Sequence, residues 1–387
     1  MSADLSIFFH PSEIGVGSFS ENTLGSVTGF NKSDFPDISK AHIAIIGVCD
    51  GRRSINNKGC SLAPDTVRKF LYPLFANFPK IKIVDLGNIL EGNEVEDTYF
   101  ALSSCVKLLI KNKTVPVIIG GSHDLTYANY LAYQDLEKTV NLAVVDNRFD
   151  LGKSEDELNS QAFLNKIIIR QPNYLFNYSN IGYQTYFTNP EELNLMSKLF
   201  FDTFRLGDIR SDIQEVEPIV RNSDILSFDV SAIRFSDLPG NNNGTPNGFY
   251  GEEACQISRY AGMSDKISSA GFYELNPSVD KNGQSSHLVA QMIWYFIEGF
   301  ANRKGENPLV NKKNCQKFRV ALGNEKQEIV FYKSRKTDRW WMDIPYPPNK
   351  GLNMERQLII PCSYNDYQAA CNEDMPERWW KTYQKLL

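Results

Sequence analysis

Three short segments constrain this chain more than anything else in it. They are Gly120-Gly121-Ser122-His123-Asp124, Asp146-Asn147-Arg148-Phe149-Asp150 and Ser227-Phe228-Asp229-Val230-Ser231. Each follows a strand-sized run: Val115 to Ile119, Leu142 to Val145, and Asp224 to Leu226. Strands that alternate with helical stretches predict a parallel sheet covered on both faces. Ligands of such sheets bind beyond the carboxyl ends of the strands, where these segments fall. Carboxylates and an imidazole delivered there suit a divalent cation such as Mn2+, which takes oxygen and nitrogen ligands.

The rest of the chain supports that architecture. Ile43 to Val48, Ile81 to Asp85 and Ile267 to Tyr273 read as further strands. Asp65 to Leu71, Asp97 to Ile110, Ile209 to Arg221, Glu252 to Ala261 and Ser286 to Phe300 read as helices, and Leu164 to Ile169 fits either pattern. Residues 1–40 are polar, contain several glycines and are expected to be irregular. After Asn302 the alternation stops. Residues 303–308 form a polar linker, and Phe318 to Leu322 and Glu328 to Tyr332 predict a hairpin turning at 323–327. Arg339-Trp340-Trp341 and Arg378-Trp379-Trp380 hold four of the five tryptophans. The expected organisation is an α/β domain over 1–305 and a Trp-rich extension over 306–387 packed on it. Four tryptophans on a free appendage would expose too large an apolar patch.

Composition narrows the functional classes. A net charge of −5 without a basic block argues against nucleic acid as a partner. Apolar runs are strand-sized, far short of a membrane span. The start, Met1-Ser2-Ala3-Asp4-Leu5, has neither a basic region nor a long apolar run, so no secretion signal is expected. The seven cysteines form no C-x-x-C pair and are expected to be reduced thiols in a cytoplasmic protein.

The three segments resemble those of the ureohydrolases: arginase, agmatinase and formimidoylglutamase. In that family they read GG-x-H, D-A-H-x-D and S-x-D-x-D-x-x-D and hold two Mn2+ ions. Further matches follow in order. Gly59 to Arg68 resembles the family's G-x-x-x-A-P-x-x-x-R, and Val84-Asp85-Leu86-Gly87 its D-x-G. Gly244-Thr245-Pro246 and Glu274-Leu275-Asn276-Pro277 also find counterparts, so the likeness runs from about residue 40 to about 303. It implies an arginase-like three-layer α/β/α fold with a parallel central sheet, to which the small extension with its β-hairpin is added. The Gly-Gly-Ser-His-Asp segment is nearest to the formimidoylglutamase branch. The resemblance also implies a homo-oligomer. The Trp-rich extension is a candidate surface for a protein partner.

Carried over residue by residue, the resemblance places the first metal on His123, Asp146, Asp150 and Asp229, all present, and sets Glu274 against the amidine or guanidine end of a substrate. The second metal departs from the pattern. Its own ligands should be a histidine at 148 and an aspartate at 231, but Arg148 and Ser231 stand there, and Arg234 replaces a further family aspartate. Arginine has no lone pair to offer a cation. Two metals about 3.5–4 Å apart normally activate a bridging water between them, so hydrolysis by the family route is not expected. The first expectation is a pseudoenzyme with no metal, in which Arg148 takes the second cation's place by pairing with the carboxylates. The alternatives are one Mn2+ with hydrolysis of a linear amidine, and a scaffold acting through its extension.

Overall fold

The computed structural model describes residues 5–153, 157–322, 327–345 and 359–387. Its centre is a nine-stranded sheet of β1 (Thr28–Phe30), β2 (Ile43–Cys49), β3 (Ile83–Leu90), β4 (Val115–Ile119), β5 (Val140–Val145), β6 (Leu175–Tyr183), β7 (Asp202–Arg205), β8 (Ile225–Asp229) and β9 (Ser269–Tyr273). The spatial order is β1-β3-β2-β4-β9-β8-β5-β6-β7, and every pairing is parallel. Successive residues of a strand face opposite ways, and β2 shows the consequence. Ile43 and Ile45 enter one apolar core, while Ala44, Ile46 and Val48 enter the other. Helices complete both layers. Gly251–Gly262 lies on Gln284–Ala301 so closely that a Cβ on Gly262 would collide with the Phe296 carbonyl. This is the three-layer α/β/α arrangement expected from the sequence.

The early signature has a structural job. Arg68, fully buried, holds Asp85 with two bonds: Nε donates to Oδ2 at 2.7 Å and Nη2 to Oδ1 at 2.9 Å. A bidentate pair of this kind satisfies both charges inside the core, and it fastens the helix Ala63–Leu71 to β3.

Two expectations about elements need correction, and one left open is decided. The N-terminal segment is not wholly irregular, because β1 pairs with β3 and forms one edge of the sheet. Ile209 to Arg221 is not one helix. It breaks at Asp212 (φ −149°, ψ 86°), whose side chain accepts the Gln214 N–H, and helix resumes at Val216. Leu164 to Ile169 is helical, within Phe163–Ile169.

Beyond residue 314, β10 (Cys315–Leu322), β11 (Gln327–Ser334), β12 (Trp340–Asp343) and β13 (Ile359–Cys362) form a separate antiparallel sheet in sequential order. The hairpin turn at 323–326 lies outside the described residues. Trp340 and Trp341, on opposite faces of β12, are both buried, in two different apolar clusters. The second tryptophan pair is on a helix, Glu377–Leu386, with Trp379 buried and Trp380 48% exposed. Charged residues join this sheet to the main one. Arg221 Nη2 donates to the carbonyls of Trp340 (3.0 Å) and Cys362 (3.3 Å), and its guanidinium carbon stands 4.3 Å from the Trp341 ring centre. Among the described residues no helix is long and apolar enough to cross a membrane.

Candidate metal centre

The Gly-Gly pair sets the position of His123. A Cβ on Gly120 would collide with the Tyr273 ring, and one on Gly121 with the Asp50 carbonyl. With both glycines the chain turns tightly off β4, held by Gly121 N–H to Val48 O (3.0 Å) and Ser122 N–H to Asp50 O (3.0 Å). His123 is thereby delivered to the carboxyl end of the sheet. Asp146 and Asp150 follow β5, the latter at φ 51°, and Asp229 is the last residue of β8.

The three carboxylates converge on one imidazole nitrogen. His123 Nδ1 is 2.9 Å from Asp150 Oδ2, 3.3 Å from Asp229 Oδ2 and 3.4 Å from Asp146 Oδ2. Nε2 lies 2.9 Å from Ser227 Oγ, which is 2.6 Å from Thr126 Oγ1. All four cluster residues are buried, and their candidate ligand atoms lie within 4.8 Å of one another. Asp146 Oδ2 has no hydrogen-bond donor among the described residues.

Electrostatics follow from this crowding. Burial pushes Asp146 up to about 7, with the nearby charge of Asp150 adding to it. Asp229 is raised by burial and then by Asp146. Burial alone would lower the His123 pKa, but the three carboxylates outweigh it and hold the imidazole well above its usual range. Without a cation, carboxylates packed this tightly retain protons. A donor set of one imidazole nitrogen and three carboxylate oxygens fits a single divalent ion such as Mn2+.

Glu274 closes one side of the cluster at φ 67°, 2% exposed. Its Oε1 accepts the His123 N–H at 3.0 Å, while Oε2 accepts from Ser54 Oγ (2.7 Å) and Asn57 Nδ2 (2.8 Å). Burial and the charge of Asp229 push its pKa up to about 7. Asn57 is itself held, its Oδ1 accepting from Asn276 Nδ2 (2.9 Å) and the Asn242 N–H (3.2 Å).

The positions that depart from the family pattern make other contacts. Arg148 gives only its main-chain N–H to the cluster, donating to Asp146 Oδ1 at 3.1 Å, and its guanidinium carbon stands 4.8 Å from the Phe187 ring centre. Ser231 donates its N–H to Asp229 Oδ1 at 2.6 Å, and its hydroxyl faces Asn147 Nδ2 at 3.4 Å. Arg234 pairs with Asp237 at 2.8 Å and lies over Tyr250. The expected pairing of the Arg148 side chain with the carboxylates is absent among the described residues. Sequence reading also missed Ser54, Asn57, Thr126 and Phe187. Only Ser227 carried a local signal, since it lies two residues before Asp229 on the same strand face.

An α/β sheet that gathers an imidazole and three carboxylates at its carboxyl end has the donor set to hold a cation, as the ureohydrolase resemblance implies. A model of the arginase family matches residues 41–298, and the chain belongs to that family. It is 25% identical over 293 residues to a formimidoylglutamase of Staphylococcus aureus, covering 70% of this chain and 92% of the relative. Among solved structures it resembles Trypanosoma cruzi formiminoglutamase with Mn2+ (TM-score 0.63, 22% identity, 70% of this chain and 100% of that one). It also resembles an agmatine ureohydrolase of Thermoplasma volcanium (TM-score 0.58, 19% identity, 73% and 94%). The family match ends before the C-terminal sheet begins.

These findings overturn the expectation of a site without metal. The four residues at the first-metal positions are assembled around one point in a fold whose solved T. cruzi relative was crystallised with Mn2+. The arginine expected to neutralise them is turned onto Phe187 instead. One Mn2+ is compatible with what the chain builds.

Proposed function

We propose that this arginase-family chain holds one Mn2+-like cation on His123, Asp146, Asp150 and Asp229, and has lost hydrolysis of linear amidines by the two-metal route. The observation behind this reading is an asymmetry. One set of ligands is complete within 4.8 Å, while Arg148 has no lone pair for a second ion and Ser231 offers only a neutral hydroxyl.

When bound, the cation supplies Lewis-acid polarisation of a ligand atom. Glu274, fixed by Ser54, Asn57 and the His123 N–H, keeps the His123 segment in place and retains acceptor capacity on Oε1. The test is turnover of arginine, agmatine and formiminoglutamate by Mn2+-loaded protein. The proposal expects none above a metal-only blank, and clear turnover of any of the three would establish a single-metal hydrolase in its place.

A further inference from the structure

Two asparagine-bearing loops meet over the acid cluster. Residues 51–57 follow β2, and residues 240–245 lie beyond β8. In the sheet β4 and β9 stand between β2 and β8. Of that inner pair, β4 leads to His123 and β9 to Glu274. The two loops therefore reach toward each other across the strand ends that deliver those residues.

Their contact is made by side-chain and main-chain amides. Asn242 donates its N–H to Asn57 Oδ1 (3.2 Å) and its Nδ2 to the Asn56 carbonyl (2.9 Å), and Asn243 Nδ2 donates to Ile55 O (2.9 Å). The second loop is braced from within, the Asn243 N–H donating to Asn241 Oδ1 at 2.6 Å. Asn56 turns at φ 59°, a left-handed conformation that asparagine tolerates better than most residues. The inward side chains close on Glu274. Ser54 and Asn57 hold its Oε2, and Asn57 Nδ2 (2.8 Å) and Asn241 Nδ2 (2.9 Å) both donate to its carbonyl. Beneath this cover none of His123, Asp146, Asp150 and Asp229 is more than 6% exposed, whereas Asn56 and Asn242 on the outside face solvent.

The bonds that cross between the loops join neutral amides, and water can replace each of them at small net cost. Such a contact is closed at rest and opens readily, as loops that gate a site must. We propose that the two loops form a lid latched by Asn242 and Asn243, and that exchange of the cation requires the latch to open. The four ligands set how much cation is held, and the latch sets how fast it is exchanged. What lies beneath the lid rests on the single-cation reading above; the latch rests on the loops themselves.

Chelation kinetics on the full-length, Mn2+-loaded protein test this. Metal content is measured first, excess EDTA is added, and protein-bound Mn2+ is followed with time. Wild type is expected to release its ion slowly, at a rate that does not rise with EDTA concentration, because opening limits it. Asn242→Ala/Asn243→Ala removes two crossing bonds and should speed release about tenfold or more, from an unchanged starting metal content. Equal release rates in the two proteins, or a wild-type rate proportional to EDTA, overturn the inference. Hydrogen exchange on the metal-free proteins reads the latch without the ion. Main-chain amides of 51–57 and 240–245 should exchange faster in the double variant, while β4 and β8 stay protected and show that it folds. Loops that exchange alike in both proteins overturn the inference. A wild type that carries no Mn2+ fails the earlier reading instead, and the exchange result still decides the latch.

Discussion

The seam between the two sheets and the carboxyl end of the main sheet both bury charge, but they balance it differently. At the seam the chain supplies both signs. Glu217 Oε1 lies 2.9 Å from Arg221 Nε and 3.0 Å from Arg339 Nε, and Glu306 is 3.9 Å from Arg339. Arg378 sits between Glu215 (2.8 Å) and Asp366 (3.4 Å). At the site, Asp146, Asp150 and Asp229 surround one imidazole, Glu274 holds the His123 main chain, and the nearby guanidinium is turned away. Charge that a chain neutralises internally holds its parts together. Charge left in excess calls for a partner from solution, and here the excess is negative and shaped for a cation.

Four perturbations bear on that contrast, beginning with the largest effect. Ending the chain at residue 305 removes the C-terminal sheet and exposes Phe176, which packs in its apolar cluster. The truncated protein should be insoluble or far less heat-resistant. A soluble, monodisperse and equally stable product would make the extension an independent module.

Arg221→Ala removes one partner of a buried pair and should cost about 3–5 kcal/mol, read from urea unfolding. Because the seam is self-contained, Mn2+ should not alter that loss; a loss that Mn2+ does alter would couple the two regions.

Lys385 reports on the seam through pH. Burial, which the charge of Asp202 only partly offsets, lowers its pKa to about 8, and its ammonium donates to Asn177 Oδ1. Between about pH 8 and the ordinary lysine value near 10.5 the unfolded chain binds the extra proton. Stability should therefore rise with pH across that window, by at most about 3 kcal/mol. Lys385→Met should abolish the rise, measured as urea midpoints at pH 7.5 and 10.

Asp229→Asn should act in the opposite sense to Arg221→Ala. It relieves the carboxylate crowding while its oxygen still accepts the Ser231 N–H, so the metal-free protein should gain about 1 kcal/mol. The thermal shift on adding Mn2+ should shrink or vanish. A destabilised metal-free variant would mean that Asp229 is balanced within the chain, and the contrast would fail.

The sequence revealed the part of the site that depends on residue type at strand ends. His123, Asp146, Asp150 and Asp229 could be named because they stand at strand ends in segments that resemble the ureohydrolase metal motifs. The direction of Arg148 could not be read, since a long flexible side chain can reach a carboxylate or an aromatic ring equally well. Ser54 and Glu274 are 220 positions apart, and only the closed sheet brings them together. β6 escaped notice because Asn177, Ser179 and Asn180 interrupt its apolar character, and β7 because it is a short polar edge strand. The second tryptophan pair lies on a helix, where Trp379, Thr382 and Leu386 are buried at helical spacing.

Mn2+ stoichiometry tests the central claim most directly. The wild-type protein and the Arg148→His/Ser231→Asp double variant would each be loaded with Mn2+, dialysed and analysed for metal per chain. The account predicts one ion in the wild type and a second in the double variant. No ion in the wild type, or two, would contradict it.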